Sequence, residues 1–213
     1  MKFKITLQVN RQYGDLLPFN YQYEQSAVIY RILAQADTKY SSWLHENGYD
    51  INGCKRFKLF CYSPFIFEKV RSFPDAGCLN ILGERAVWYI SFIPEKSTTE
   101  FIQGIFAHQS FTIGNKKHRV AFDVVGVEAI PMPQLAEEMM FQALSPICVK
   151  LHEDNKTQYL SPGNPMFAEG ILKGLMARYE SIHGQPFDMN DKEFSFELTV
   201  NKVKSKLITI KAN

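Results

Sequence analysis

The order in which two hydrophobic periods alternate along the chain constrains its fold more than any other feature. Residues 2–9 put Phe3, Ile5, Leu7 and Val9 on one side and Lys2, Lys4, Thr6 and Gln8 on the other, the period of a half-buried strand. From about Glu24 to Ala36 the period becomes helical, with Val28, Ile29, Ile32, Leu33 and Ala36 as the apolar stripe. Asp37 and Thr38 are good N-cap residues for a second, short helix carrying Trp43, Leu44 and His45, and Gly48 is placed to end it. Strand patterns resume over 56–63 and over 79–94, the latter interrupted by Gly83-Glu84-Arg85. Ser97-Thr98-Thr99-Glu100 reads as a capping box opening a helix to about His108, and 117–130 alternates again. Strand, helix, strand, strand, helix, strand predicts a ferredoxin-like unit, with its helices on one face of an antiparallel sheet.

Pro131-Met132-Pro133 marks a boundary, so the expected domains are 1–131 and 132–213. Beyond it the pattern predicts a strand over 140–151 and a helix over 166–182 entered through Ser161-Pro162-Gly163-Asn164-Pro165. Strands are expected over 193–201 and 205–211. The same plan begins again and stops after its third strand. The expected class is therefore α+β, tandem ferredoxin-like (βαββαβ) domains, the second one incomplete. In this topology the fourth strand pairs with the first, so 140–151 would keep an open edge unless another chain or further sequence covers it.

Hydrophobic residues at 46% and charged residues at 22% describe a folded chain rather than a disordered one. A net charge of +2 supplies no steering field, so any nucleic-acid surface has to gather its positive charge locally. Cys54, Cys61, Cys78 and Cys148 form no Cys-x-x-Cys pair and lack a His at zinc-ligand spacing, which fits scattered thiols in a reducing cytoplasm. No apolar run suits a signal peptide or a membrane span. No nucleotide-binding glycine loop, His-Glu-x-x-His or nucleophile elbow is present, and neither a metal nor a cofactor is expected.

Three residues stand out by position. Tyr30 lies roughly 130° from the centre of its helix's apolar stripe, with the small Ala27 and Ala34 beside it. His45 sits near the end of the second helix, where its charge suits the helix dipole. Lys58 lies in a strand whose Phe57, Leu59 and Cys61 share one face, and projects from the other. Taken singly, each also fits a packed tyrosine, a capping histidine and a solvated strand lysine. Basic residues cluster at Lys55-Arg56, at Lys116-Lys117-His118-Arg119, and at Lys202, Lys204 and Lys206, and the chain from Lys192 on carries five Lys against two Glu. Interleaved with Phe60, Tyr62 and Phe65, the first cluster suits phosphates and bases together.

The run Leu17-Pro18-Phe19-Asn20-Tyr21-Gln22-Tyr23, then Ile29-Tyr30, then Leu44-His45-Glu46, resembles the CRISPR-associated endoribonucleases that process repeat transcripts, the Cas6 family. Lys58-Leu59-Phe60-Cys61-Tyr62-Ser63 is similar to the family's next strand, and Leu144-Ser145-Pro146-Ile147 to the opening of its second domain. The resemblance implies a protein that binds pre-crRNA and cuts each repeat without a metal, through 2′-hydroxyl attack leaving a 2′,3′-cyclic phosphate and a 5′-hydroxyl. It implies Tyr30, His45 and Lys58 as the cutting site; the charge clusters themselves, Lys55 and Arg56 with Lys202, Lys204 and Lys206, are the expected RNA contacts. It also implies CRISPR repeat RNA as partner, with a CRISPR effector complex and a homodimer as further assemblies. The family's closing glycine-rich loop has no counterpart after Lys211.

Two other readings follow from the same residues: a non-cutting repeat-RNA-binding protein and, more distantly, a ferredoxin-like small-molecule or protein-interaction domain. The site carries a geometric condition. On one unbroken helix, Tyr30 and His45 would stand about 22 Å apart, too far for one phosphate. The chain must turn between them, and Asp37-Thr38 is the expected place.

Overall fold

A computed structural model describes residues 1–51, 53, 55–153, 156–188 and 195–200. Its elements, in chain order, begin with β1 (Lys2–Asn10), β2 (Leu16–Pro18), α1 (Gln22–Ala36) and α2 (Thr38–Glu46). Next come β3 (Tyr49–Ile51), β4 (Lys55–Phe57), β5 (Phe60–Tyr62), β6 (Ile66–Phe67), β7 (Val70–Phe73), β8 (Cys78–Ile81) and β9 (Arg85–Phe92). After them run α3 (Glu95–Ala107), β10 (Ser110–Gly114), β11 (Arg119–Ile130), β12 (Val149–Glu153), β13 (Lys156–Leu160) and α4 (Met166–His183). Among the described residues the chain divides into two compact units: Met1–Glu46 with Leu59–Leu144, and Asn47–Lys58 with the residues from Ser145 to Val200.

In the first unit an antiparallel sheet runs in the order β10-β11-β1-β9-β5, with β6 also on β9. Leaving out the β10 extension, the order β11-β1-β9-β5 is fourth, first, third, second, the ferredoxin-like pairing. β1 is central because its alternation is complete: Phe3, Ile5, Leu7 and Val9 are buried, each such side chain contributing about 2 kcal/mol on burial. One register shift, between Thr6 and Leu7 against β11, leaves Val125 unpaired and exposed. Trp88, Phe92, Phe101 and Phe122 fill the core between the sheet and the helices α1 and α3. The two helices approach closely at Gly104, where a Cβ would stand 1.8 Å from the Ile32 carbonyl oxygen. A smaller sheet, β2-β8-β7, completes the unit.

The second unit contains the β3–β4 ladder, the β12–β13 hairpin and α4. Among the described residues Val149 and Phe167 are its buried apolar side chains, and α4 meets β12 where Gly170 lies against Val149. Asn164 opens α4 by accepting the Met166 N–H at 2.9 Å, and Gly184, in left-handed conformation, closes it.

Several expectations change. The run 56–63 is two strands: β4 pairs with β3, β5 pairs with β9, and Leu59 between them has φ +53. That left-handed residue, at a cost of about 1 kcal/mol, breaks the alternation. Leu59 is still buried and its carbonyl accepts the Ile93 N–H, but Cys61 is exposed, while Phe60 and Tyr62 are half-buried. The expected strand over 140–151 begins only at Val149 and turns back through β13, because Pro146 has no N–H for a ladder. Ser97-Thr98-Thr99-Glu100 is no capping box. The helix starts at Glu95, the buried Ser97 hydroxyl pairs with the Tyr40 hydroxyl, and Thr98 bonds back to the Pro94 carbonyl. Of the expected strand over 193–201, residues 195–200 form no strand, and the rest, like 205–211, lies outside the described residues.

Candidate active site

The expected break falls at Asp37. Its backbone is extended (φ −142, ψ 99), its N–H closes α1 on the Leu33 carbonyl at 2.9 Å, and its carboxylate opens α2 by accepting the Tyr40 N–H at 2.9 Å. That N–H, with Lys96 at 3.3 Å, holds the Asp37 carboxyl below the usual range. The returning helix is tied down where it matters: the Ser41 hydroxyl donates to the Tyr30 carbonyl at 2.8 Å, and Leu44 is fully buried one residue before His45.

The result is a phenol against an imidazole. The Tyr30 and His45 rings meet edge to face, centroids 4.9 Å apart at 86°. Phe60 closes the other side of Tyr30 at 5.7 Å and is itself backed by Phe92. Burial, and then the neighbouring Tyr62, pushes the Tyr30 hydroxyl up to about 12, so it stays protonated at any physiological pH. His45 is exposed, so the pair combines a sheltered proton donor with an accessible imidazole.

The remaining expected residues are placed differently. Lys55, Arg56 and Lys58 belong to the second unit, the first two exposed on β4. Lys58 is partly buried; a Cβ at Gly48 would stand 3.3 Å from its Nζ. Burial, and then the charge of Arg56, lowers the Lys58 pKa from the usual lysine value. Lys202, Lys204 and Lys206 lie outside the described residues. Of the aromatics interleaved with the first basic cluster, Phe65 is buried and stacked on Tyr21, while Tyr62 and Phe60 are half-buried, Tyr62 edge-on to Trp88 with its hydroxyl on the Gln22 carbonyl.

Sequence reasoning missed Ser41, eleven residues from the carbonyl it holds, and Phe60 as the wall behind Tyr30. No local pattern carries either; both depend on the fold-back and on the kink at Leu59. Among the described residues no group of three or more His, Cys, Asp and Glu side chains could hold a metal ion, and no helix is long and apolar enough to cross a membrane.

Comparison with known proteins gives the same picture over most of the chain. Residues 16–123 match the family model of the CRISPR-associated protein Cas6, N-terminal, and residues 130–213 that of its C-terminal counterpart. The chain is 28% identical over 212 residues to the CRISPR-associated endoribonuclease Cas6 1 of Methanocaldococcus jannaschii, covering 98% of itself and 76% of that protein. It is 25% identical over 189 residues to the CRISPR-associated endoribonuclease Cas6 of Pyrococcus furiosus, covering 88% and 66%. Among solved structures it is similar to an RAMP protein binding different RNA substrates (TM-score 0.69, 25% identity, 87% and 73% covered). It is similar as well to the product of a Cas6-related gene from Pyrococcus furiosus (TM-score 0.72, 24% identity, 88% and 73% covered). The fold is thus α+β with tandem ferredoxin-like domains, the second represented among the described residues by β12, β13 and α4. Two family models spanning most of its length, over a fold shared with those structures, make this chain a member of the CRISPR-associated Cas6 family.

Proposed function

We propose that the protein is a cytoplasmic endoribonuclease that binds CRISPR repeat RNA and cuts pre-crRNA within each repeat without a metal ion. The observation that carries this is the Tyr30–His45 pair, brought to 4.9 Å by the turn at Asp37 and open on the imidazole side. In the reaction the ribose 2′-oxygen attacks the adjacent phosphorus while His45 takes the 2′-hydroxyl proton. The bond from phosphorus to the 5′-oxygen breaks, and Tyr30 gives its phenolic proton to the departing oxygen, leaving a 2′,3′-cyclic phosphate and a 5′-hydroxyl. A phenol raised to about 12 stays protonated and can still give its proton to an alkoxide, which supports the acid role for Tyr30 and the base role for His45. Lys58, taken into the site on the sequence resemblance, would offset charge building on the phosphoryl oxygens, and Lys55, Arg56, Lys202, Lys204 and Lys206 would hold the strand. The relatives' names and the RNA-binding neighbour support the substrate class.

The test is cleavage of the host's repeat RNA in EDTA, beside the same RNA with 2′-deoxyribose at the cut. The expected result is cutting of the first and none of the second, with His45→Ala slowing the reaction by about 10²–10⁴-fold. Repeat binding that His45→Ala leaves intact, with no cleavage by the parent protein, would establish a non-cutting RNA-binding protein instead. No repeat binding at low salt would point to a small-molecule or protein-interaction domain. Hand-over to an effector complex and pairing of two copies belong to the same proposal and are read by size-exclusion chromatography with and without RNA.

A further inference from the structure

Opposite edges of α1's exposed face carry different chemistry. Tyr30 and Arg31 are adjacent in sequence, and 100° per residue sends their side chains to separate flanks of the helix. On the Arg31 flank α1 faces the β10–β11 hairpin across a cleft of about 370 Å³, lined by Tyr23, Glu24, Ala27, Arg31, Lys116 and Arg119. We propose that this cleft is a second RNA subsite, holding a nucleotide close to the one being cut: its phosphate on Arg31, Lys116 and Arg119, its base against the Tyr23 ring. The proposal rests on the RNA reading above and extends it to residues that the sequence resemblance does not include.

The cleft is built rather than a chance meeting of surface charges. The Arg31 guanidinium is oriented by donating to the Thr112 carbonyl at 3.0 Å, which leaves its other N–H groups for a ligand. The Arg119 guanidinium lies 4.1 Å over the Tyr13 ring, held flat by that contact. The basic turn between the strands is locked by Asn115: its N–H reaches the His118 carbonyl at 2.8 Å, and its side-chain oxygen accepts from the Lys117 and His118 amides at 2.9 and 2.8 Å. Gly114 makes the turn possible, with φ +125 and the His118 carbonyl 2.2 Å from where a Cβ would sit. The two guanidinium groups and the backbone that carries Lys116 are therefore ordered before a ligand arrives, which limits the conformational freedom lost on binding.

Charge and hydrogen bonding together select the occupant. Among the described residues none of Arg31, Lys116 and Arg119 is paired with a carboxylate, so three positive charges face the cleft. The one carboxylate lining it, Glu24, has its Oε2 buried with no hydrogen-bond partner among the described residues. A bare phosphate would be repelled by the Glu24 carboxylate, whereas a nucleotide can set a base edge with its N–H donors beside it. Tyr23, more than half exposed, supplies a ring for the base to stack on.

The test is anisotropy binding of a fluorescein-labelled single strand of the host's repeat RNA across a salt series. Arg31→Ala, Arg119→Ala and Lys116→Ala should each weaken binding several-fold and flatten the log–log salt slope by about 0.7 for each phosphate no longer neutralised. Lys116 lies exposed in the turn and leaves packing untouched, so its variant keeps the test decisive if either arginine variant melts early. Inorganic phosphate, compared with chloride at equal ionic strength, should not displace the RNA. Folded Arg31→Ala and Lys116→Ala proteins with the parent's affinity and slope would overturn the subsite, and so would displacement by phosphate. A parent that cuts RNA while its slope ignores these substitutions loses the subsite alone. A parent that binds through Arg31 but never cuts loses the cleavage reading and keeps the subsite.

Discussion

The two units make opposite use of a helix. In the first, α1 is clamped on several sides: Ile29 and Leu33 are fully buried, Gly104 of α3 touches its backbone, and Ser41 of α2 bonds its Tyr30 carbonyl. In the second, α4 is longer, yet Phe167 is its only buried side chain among the described residues. The lesson concerns where precise chemistry can be kept. The proposed cutting pair needs side chains whose backbones cannot drift, and α1 with α2 supplies that. The basic residues of β4, on a three-residue ladder, are suited to following a flexible strand instead.

Substitution at two glycines tests the contrast most sharply. A Cβ at Gly104 would meet the Ile32 carbonyl, which is backbone and cannot yield, so Gly104→Ala should cost about 3 kcal/mol. Both tryptophans, Trp43 and Trp88, lie in the first unit, so the loss would appear in fluorescence-monitored urea unfolding. A denaturation midpoint equal to the parent's would mean that α1 is not clamped as described. A smaller effect is expected from Tyr21→Phe. The Tyr21 oxygen accepts the buried Phe65 N–H at 3.0 Å, and removing it should cost about 1–2 kcal/mol in the same measurement.

Alkaline pH acts on the same unit. Burial raises both the Tyr21 and Tyr30 hydroxyls to about 12, above the ordinary value of 10.0. A group raised in the folded state contributes stability that is complete below the unfolded value and lost as pH climbs through the folded one. The first unit should therefore hold its melting temperature up to about pH 10 and lose stability between about 10 and about 12, a fall that Tyr21→Phe should reduce. The smallest effect is expected at Gly170, where a Cβ meets only a Val149 methyl group at 2.4 Å. There the helix propensity gained from alanine, about 1 kcal/mol, offsets part of the cost of turning Val149 aside. Far-UV circular dichroism should show α4 unchanged in Gly170→Ala, and its loss would show that the second unit is packed as tightly as the first.

How far the sequence could be read follows the same division. β1, α1, β9 and β11 were legible because each repeats one period over eight or more residues against a deep core. The turn at Asp37 was legible because an N-cap announces itself within four residues. The kink at Leu59 was not: nothing in Arg56-Phe57-Lys58-Leu59-Phe60 signals a left-handed leucine, and assuming an unbroken strand placed Cys61 inside and Phe60 outside. β10, β13 and the lock at Asn115 were missed because hairpin partners and turn bonds arise from pairing rather than from periodicity. In the site, Tyr30 and His45 became visible only through family resemblance, since alone each reads as an ordinary surface or packing residue.

Leu59 also settles an allegiance. A single positive torsion parts two ladders on either side of it, since β4 pairs with β3 while β5 pairs with β9. Valine or isoleucine at this position, barred by its branched carbon from that torsion, would favour one straight ribbon from 55 to 62. Lys58 would then swing to the opposite side of its own backbone, and a change that alters no charge would reposition the cation proposed above for the scissile phosphate.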